Sequence, residues 1–532
     1  MEKNCASRRY PLGIQTFSRI IEGGYVYIDK TDLVWEMAHI SPFVFLSRPR
    51  RFGKSLLSST LHSYFAGEKD LFKGLKIIDL EKDWENYPVI HLDLSTAKNQ
   101  STPDELRHAL SLLLEPMTKL WGKNESEMLP GQILKGLIQR ANEKTGKQVV
   151  IIIDEYDAPL LDVLHETQRL PEFRAVMQEF YQPLKASESM VKFCFITGIT
   201  KFSQLSIFST INNIKNITLL PKFATLCGIT HTELTTAMAE DIRVMAESYK
   251  CEPEKMADML KQQYNGYHFA EDSDGVYNPY SLMNAFSDKK LGNYWFESGT
   301  PTFLIRQMQH FHTDITALED MEVPSLAFDR PTEAMENALP LLYQSGYLTI
   351  KNYDHLTQLY TLSIPNQEVR IGFADGLMPT YIGMEGWRVQ TGFALKFWQA
   401  LRKDDLNLAL EEMKAYLAGL PYVEGFKKKL EEVSNTEGFY EWTFYLIFTM
   451  INIYTNTQVK CANGKADVVV QMPDTVYVME LKLNRTAKEA LNQINTKGYA
   501  IPYQLGGRRI VKAGINFSSE TKTLTDWIIE YS

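Results

Sequence analysis

Two groups of residues in this chain have the types and spacing to act on phosphate esters. The first is Arg48-Pro49-Arg50-Arg51-Phe52-Gly53-Lys54-Ser55, followed by Leu56. In a phosphate-binding loop, backbone N–H groups wrap the phosphates, a lysine reaches the β and γ oxygens, and a Ser or Thr hydroxyl holds Mg²⁺. Lys54 and Ser55 could fill the last two roles, with FVFL as the preceding strand and LLSSTLHSYF as the following helix. The glycine expected five residues before Gly53 is Arg48, so an L-residue beside a proline would have to make that turn. Alone, the segment also reads as a plain basic loop.

It has two companions. VVIIIDEYD ends an apolar run in Asp154, suited to the Mg²⁺ shell, and Glu155, suited to activating water. The bland alternative is a strand exit with solvated acids, and Asp157 could cap the turn near Pro159. KFCFITG ends at Thr197, with Thr200 just beyond, where polar groups would approach a γ-phosphate. Three such elements in order predict an ATP site formed by residues 48–56, Asp154 and Thr197, with Ser55 and Asp154 on Mg²⁺ and Glu155 catalytic.

The second group is C-terminal. Phosphodiester hydrolysis needs carboxylates to hold one or two divalent cations, and usually a lysine beside them. Asp467 in GKADVVV starts one expected strand; Glu480 and Lys482 in YVMELKL lie two apart on the next, hence on one face. Alternation with Met479, Leu481 and Leu483 predicts one apolar and one charged face. A half-exposed strand with a cross-strand ion pair is the competing reading. A preceding helical stretch carries Glu437 and Glu441, four apart, and the segment after the strands offers Gln493 and Tyr499.

These residues need positioning elements. Apolar strands at 43–46, 89–95, 148–154 and 192–198 alternate with helical stretches, the pattern of an α/β domain with a largely parallel sheet. After residue 230 the texture changes. Thr230 and Glu233 fit a capping box opening a helix. The aromatic segments YNGYHF and VYNPYS read as turn and core packing, and ALPLLYQSGYLTIKNY as helix, glycine turn and strand. The expected organisation is a P-loop domain over 1–230, a helical, winged-helix-like or lid module over 231–370, a helical connector over 371–430, and a nuclease-like α/β domain over 431–532.

Composition sets bounds. The chain has 532 residues, 44% hydrophobic and 23% charged, as in ordinary globular proteins. A net charge of −9 argues against coating nucleic acid by bulk electrostatics, although the stretch from 421 onward is close to neutral. Cys5, Cys194, Cys227, Cys251 and Cys461 are scattered, with no zinc or disulfide pattern. No apolar run reaches the ~18 residues of a membrane span, and MEKNCASRRY lacks a secretory apolar core, so the expected location is cytoplasmic.

The stretches YPLGIQTFSRIIEGGYVYIDKTDLVWEM, FLSRPRRFGKSLLSSTL, IIIDEYDAPL and FITGITKFS resemble the AAA-ATPase-like family of bacterial proteins, in which the RPRRFGKS form is usual. The resemblance implies that VYIDKTDLV lies near the nucleotide, making Asp29 and Lys30 candidates beside the alternative of an Asp-capped helix start. Residues from roughly 430 to 530 resemble the PD-(D/E)xK nuclease superfamily, whose fold is restriction-endonuclease-like. By motif position Glu437 matches the helix acid, Asp467 the strand acid, Glu480 and Lys482 the ExK pair, and Gln493 with Tyr499 the auxiliary residues. Glu441 stands where histidine is common and Lys465 where arginine is common. The metal ligands implied are Glu437, Asp467 and Glu480, with Mg²⁺ or Mn²⁺. The expectation is an ATP-regulated nuclease acting on DNA ahead of RNA, with a homo-oligomer left open. A nucleotide-dependent switch or scaffold that binds without cleaving is the alternative.

Overall fold

The structure is a computed structural model, describing residues 8–372, 390–418, 459–460 and 467–531 apart from 165, 167, 202–213, 298–303, 305–306, 309–310, 312–317, 319–320, 331–334, 473, 502, 504–506 and 522. The chain divides into two compact units, Met1–Val369 and Arg370–Ser532.

The first unit is built on an all-parallel sheet of β1 (Phe43–Ser47), β2 (Val89–Asp93), β3 (Val149–Asp154), β4 (Val191–Gly198) and β5 (Lys215–Asn216), in the order β2-β3-β4-β1-β5. Every residue of β1 and β3 is buried, because uninterrupted apolar runs suit strands covered on both faces. β2, at the edge, alternates buried and half-buried positions. Register levels Asp93 with Asp154, Leu46 with Thr197 and Ser47 with Gly198, so the polar residues ending four strands share the C-terminal edge. In open α/β sheets that edge is where ligands bind.

Beyond the sheet, the capping box of Thr230 and Glu233 opens the helix His231–Ala237. Helices Ala239–Tyr249, Pro253–Tyr264 and Pro279–Asp288 share an apolar core with Val26 from the N-terminal stretch. β6 (Ile229–Thr230) pairs with β7 (Val276–Tyr277). β8 (Met321–Pro324), β9 (Thr349–Asp354) and β10 (Leu359–Ser363) form an antiparallel sheet, with the helix Leu339–Gln344 and Gly346 leading into β9.

The second unit is a mixed sheet, β11 (Val459–Lys460), β12 (Val468–Gln471), β13 (Thr475–Leu483), β14 (Arg509–Ser518) and β15 (Thr523–Tyr531), with β13 and β14 parallel. Tyr477, Met479 and Leu481 face helices Gln390–Arg402 and Leu406–Ala418, while Val476 and Val478 face the helix Ala487–Lys497. The expected division of β13 into an apolar and a charged face therefore differs from what is seen. Both faces are packed, and the even face changes from apolar to charged only at Glu480 and Lys482. Gly514, level with Glu480, admits the helix closely: a Cβ there would lie 2.2 Å from the Ala487 carbonyl oxygen.

Candidate functional site

The loop after β1 leads into the helix Lys54–Phe65, whose N-terminus carries no side-chain cap, so its first N–H groups are available to an anion. The left-handed positions are Arg51 (φ 67°) and Gly53 (φ 87°). Arg48 is not among them, so the position lacking the expected glycine does not need one. The Lys54 ammonium reaches back to the carbonyls of Arg48 and Pro49, 3.0 Å each, and braces the loop. Its burial lowers its pKa, against the pull of Asp154, Glu155 and Asp157.

The three arginines have different surroundings. Arg48 is 1% exposed, and its guanidinium donates to the carbonyls of Ser47 and Thr218 (2.9 Å each) and Phe223 (3.0 Å), while lying over the Phe269 ring. It pins the loop from behind. Arg51 stacks on Tyr280, 4.7 Å from the ring centre. Arg50 lines the cavity described below, and the Trp295 indole N–H donates to its carbonyl. Pro49 packs on Gly346, and Phe52 sits edge-on to Tyr267 and Phe269. Every residue from 48 to 52 thus touches the 231–369 segment, contacts between distant parts of the chain that local sequence cannot signal.

A cavity of about 580 Å³ opens on this loop. Its lining joins residues 50–57 to Lys30, Lys98 and Glu155, and on its far walls to segments 11–15, 226–229 and Tyr280. Asp154 is buried, which raises its carboxyl pKa, while the Ser55 hydroxyl and Lys54 pull it back down. Glu155, at φ 49°, is ion-paired to Lys98 at 2.7 Å. Burial raises its pKa, but Lys98, Lys54 and Arg50 together bring it below the usual carboxylate value. A buried acid, a hydroxyl beside it and a lysine suit a divalent cation bound with a phosphate, which Ser55 and Asp154 could hold.

Other sequence candidates sit elsewhere. The Thr197 hydroxyl is buried and donates to the Leu46 carbonyl at 2.7 Å, tying β4 to β1. In this structure the hydroxyl is used to hold the strands together, from a fully buried position. Thr200 donates to Asp157, whose carboxylate also accepts the Ile199 N–H, so this acid links the exits of β3 and β4 rather than capping Pro159. Asp29 accepts from the N–H and hydroxyl of Thr31 at a helix start, and Lys30 pairs with Glu233 while lining the cavity.

In the second unit, register sets Asp467 beside Glu480. The Asp467 carboxylate accepts the Leu481 N–H at 2.7 Å, the Asp467 N–H points to Glu480 at 3.4 Å, and the Lys482 ammonium lies 3.2 Å from Glu480. Glu480 is 1% exposed, and burial followed by the Asp467 charge pushes its carboxyl up to about 7 despite Lys482. Two acids this close, one of them buried, are the donor set a divalent cation satisfies. Gln493 and Tyr499 hydrogen-bond each other at 3.3 Å. Glu437, Glu441 and Lys465 lie outside the described residues. Among the described residues no cluster of three or more metal-ligating side chains occurs.

A parallel sheet with a Gly-Lys-Ser loop and strand-end acids, joined to a mixed sheet bearing an Asp…Glu-x-Lys set, defines a P-loop ATPase-like domain fused to a nuclease-type domain. Residues 11–208 match the family described as Predicted AAA-ATPase, and residues 435–527 match the PD-(D/E)XK nuclease superfamily. A protein of Azotobacter chroococcum mcd 1, named "Uncharacterized protein in vnfD 5'region", is 30% identical over 537 residues, covering 98% of this chain and 99% of the relative. The chain belongs to this family of AAA-ATPase-like proteins carrying a C-terminal PD-(D/E)XK domain. No described helix is long and apolar enough to cross a membrane.

Proposed function

We propose that the chain binds and hydrolyses ATP at the 48–56 loop and cleaves DNA at Asp467, Glu480 and Lys482 with Mg²⁺ or Mn²⁺, nucleotide turnover controlling cleavage. The observation carrying the nuclease reading is Glu480: a buried carboxyl raised to about 7, beside a second acid and a lysine, is held in a position that costs stability without a cation.

A divalent cation held by Asp467 and Glu480, with Glu437 the expected third ligand, would polarise the phosphoryl oxygen and acidify a water. The Lys482 side-chain nitrogen lies 3.2 Å from Glu480, where it can orient that water and stabilise charge on the phosphoryl group. In the ATP cleft, Lys54 would bind the terminal phosphates, Ser55 and Asp154 would hold a divalent cation, and Glu155 would accept the proton of the attacking water.

Purified full-length protein with Mg²⁺ or Mn²⁺ should degrade plasmid or single-stranded DNA faster than RNA, and Asp467→Ala or Lys482→Ala should abolish this. ATP should change the cleavage rate in the wild type and leave it unchanged in Lys54→Ala. Absence of cleavage under every metal and nucleotide condition would leave the switch reading in place of the nuclease.

A further inference from the structure

Five cationic side chains line the nucleotide cavity: Lys30, Arg50, Arg51, Lys54 and Lys98. Four are committed. Lys30 is paired with Glu233, Lys98 with Glu155, Arg51 stacks on Tyr280, and Lys54, already assigned to the terminal phosphates, rests on loop carbonyls that a phosphate would replace. Arg48, the remaining arginine of the motif, is buried behind the loop on three carbonyls. Among the described residues, none pairs with the guanidinium of Arg50.

We propose that Arg50 is the phosphate-charge arginine of this ATPase, supplied in cis by the phosphate loop itself; the inference rests on the hydrolysis reading above. Arg50 lines the same cavity as Glu155 and Lys54, and its charge acts on Glu155, so a phosphate bound between that acid and Lys54 falls within the field of its guanidinium. It is not needed as the counterion of Glu155, which already has Lys98 at 2.7 Å. Its backbone is held on the C-terminal side by the Trp295 N–H on its own carbonyl and by the stacked, left-handed Arg51, and on the N-terminal side by Pro49 packed on Gly346. A guanidinium with a fixed root, whose charge reaches Glu155 and Tyr347 but which no described residue hydrogen-bonds, is organised for an anion that arrives with the substrate.

In the step, the water oxygen bonds to the γ-phosphorus and the bond from phosphorus to the β–γ bridging oxygen breaks. The electron pair of that bond stays on ADP, and the water proton passes to Glu155. Arg50 contacts the γ-phosphoryl oxygens, whose charge it stabilises during transfer.

Arg50→Ala should lower the ATPase kcat about 10²-fold or more while KM changes less than about 3-fold, with Arg50→Lys intermediate. Binding of ADP with fluoroaluminate should weaken comparably in Arg50→Ala, with ADP binding alone unchanged. Mixing Arg50→Ala with Lys54→Ala should restore no turnover, since each molecule carries its own arginine. Wild-type kcat within about 3-fold in Arg50→Ala would overturn the proposal, and recovery on mixing would overturn its cis form. If the wild type binds ATP without turning it over, the hydrolysis reading fails separately. The preference for ATP over ADP then decides: about a tenfold loss in Arg50→Ala supports the contact, and an unchanged preference or absence of nucleotide binding overturns it.

Discussion

Replacing Glu480 by Gln removes a charge from a buried position while keeping its shape. Burial and the Asp467 charge push the carboxyl up to about 7 from an ordinary 4.5, a difference worth roughly 3 kcal/mol. Because the folded value is the higher one, the stabilisation is complete below the unfolded pKa and is lost as pH rises through the folded one. The cation-free second unit should therefore be less stable near pH 8 than near pH 5 by about 2.5 kcal/mol from this group. Glu480→Gln should lack that component, and near pH 8 in chelator it should be more stable than wild type, with the weakened Lys482 contact offsetting part of the gain. Mg²⁺ or Mn²⁺ should restore the wild type and leave the variant unaffected. Hydrogen exchange of the 475–483 peptide in full-length protein, measured along a urea series at both pH values, reads this locally. An identical pH dependence in the two proteins, or equal stabilisation of both by the cation, would refute the argument.

Three further outcomes are expected. Arg48→Met strips three carbonyls of their donor and should cost the first unit about 3 kcal/mol in denaturant unfolding; a loss below about 1 kcal/mol would show that water replaces the guanidinium. Lys54→Ala should eliminate the thermal stabilisation that ATP with Mg²⁺ gives the wild type, and a retained shift would mean that nucleotide binds elsewhere. Gly514→Ala drives a methyl group into the Ala487 carbonyl and the Leu491 N–H, so it should destabilise the second unit by about 2 kcal/mol in urea unfolding, and a neutral result would mean that the helix yields freely.

What local sequence carries and what it does not is visible residue by residue. Strands 43–47, 149–154 and 191–198 were legible because buried parallel strands must be uninterruptedly apolar, and their polar ends then fall at one edge. The pairing of Asp467 with Glu480 followed from two short strands joined by a turn, which leaves little freedom of register. The partner of Glu155 was not legible: Lys98 lies beyond β2, and only the side-by-side placement of β2 and β3 brings it within 2.7 Å. Thr197 misled because its position at a strand end is common to phosphate-facing and strand-tying hydroxyls, and only depth separates them. The helices of 390–418 read as a connector, since an amphipathic helix does not say which sheet face it covers; they fill one face of the second unit's core.

The missing first glycine of the phosphate loop also acquires a physical account. Glycine at that position would supply freedom to turn, but here the left-handed residues are Arg51 and Gly53, and Arg48 anchors the turn through three carbonyl bonds. A loop of L-residues held in this way depends on its supports. Arg51 in the left-handed region costs roughly 1–2 kcal/mol, which its stack on Tyr280 offsets in part. Pro49 needs the bare surface of Gly346, where a Cβ would approach to 2.7 Å. The shape of the phosphate site is thereby set partly by the 231–369 segment. If nucleotide binding alters the loop's contacts with Tyr280, Trp295 or Gly346, a change at that residue alters nucleotide affinity by the difference in free energy of the contact between the bound and free states.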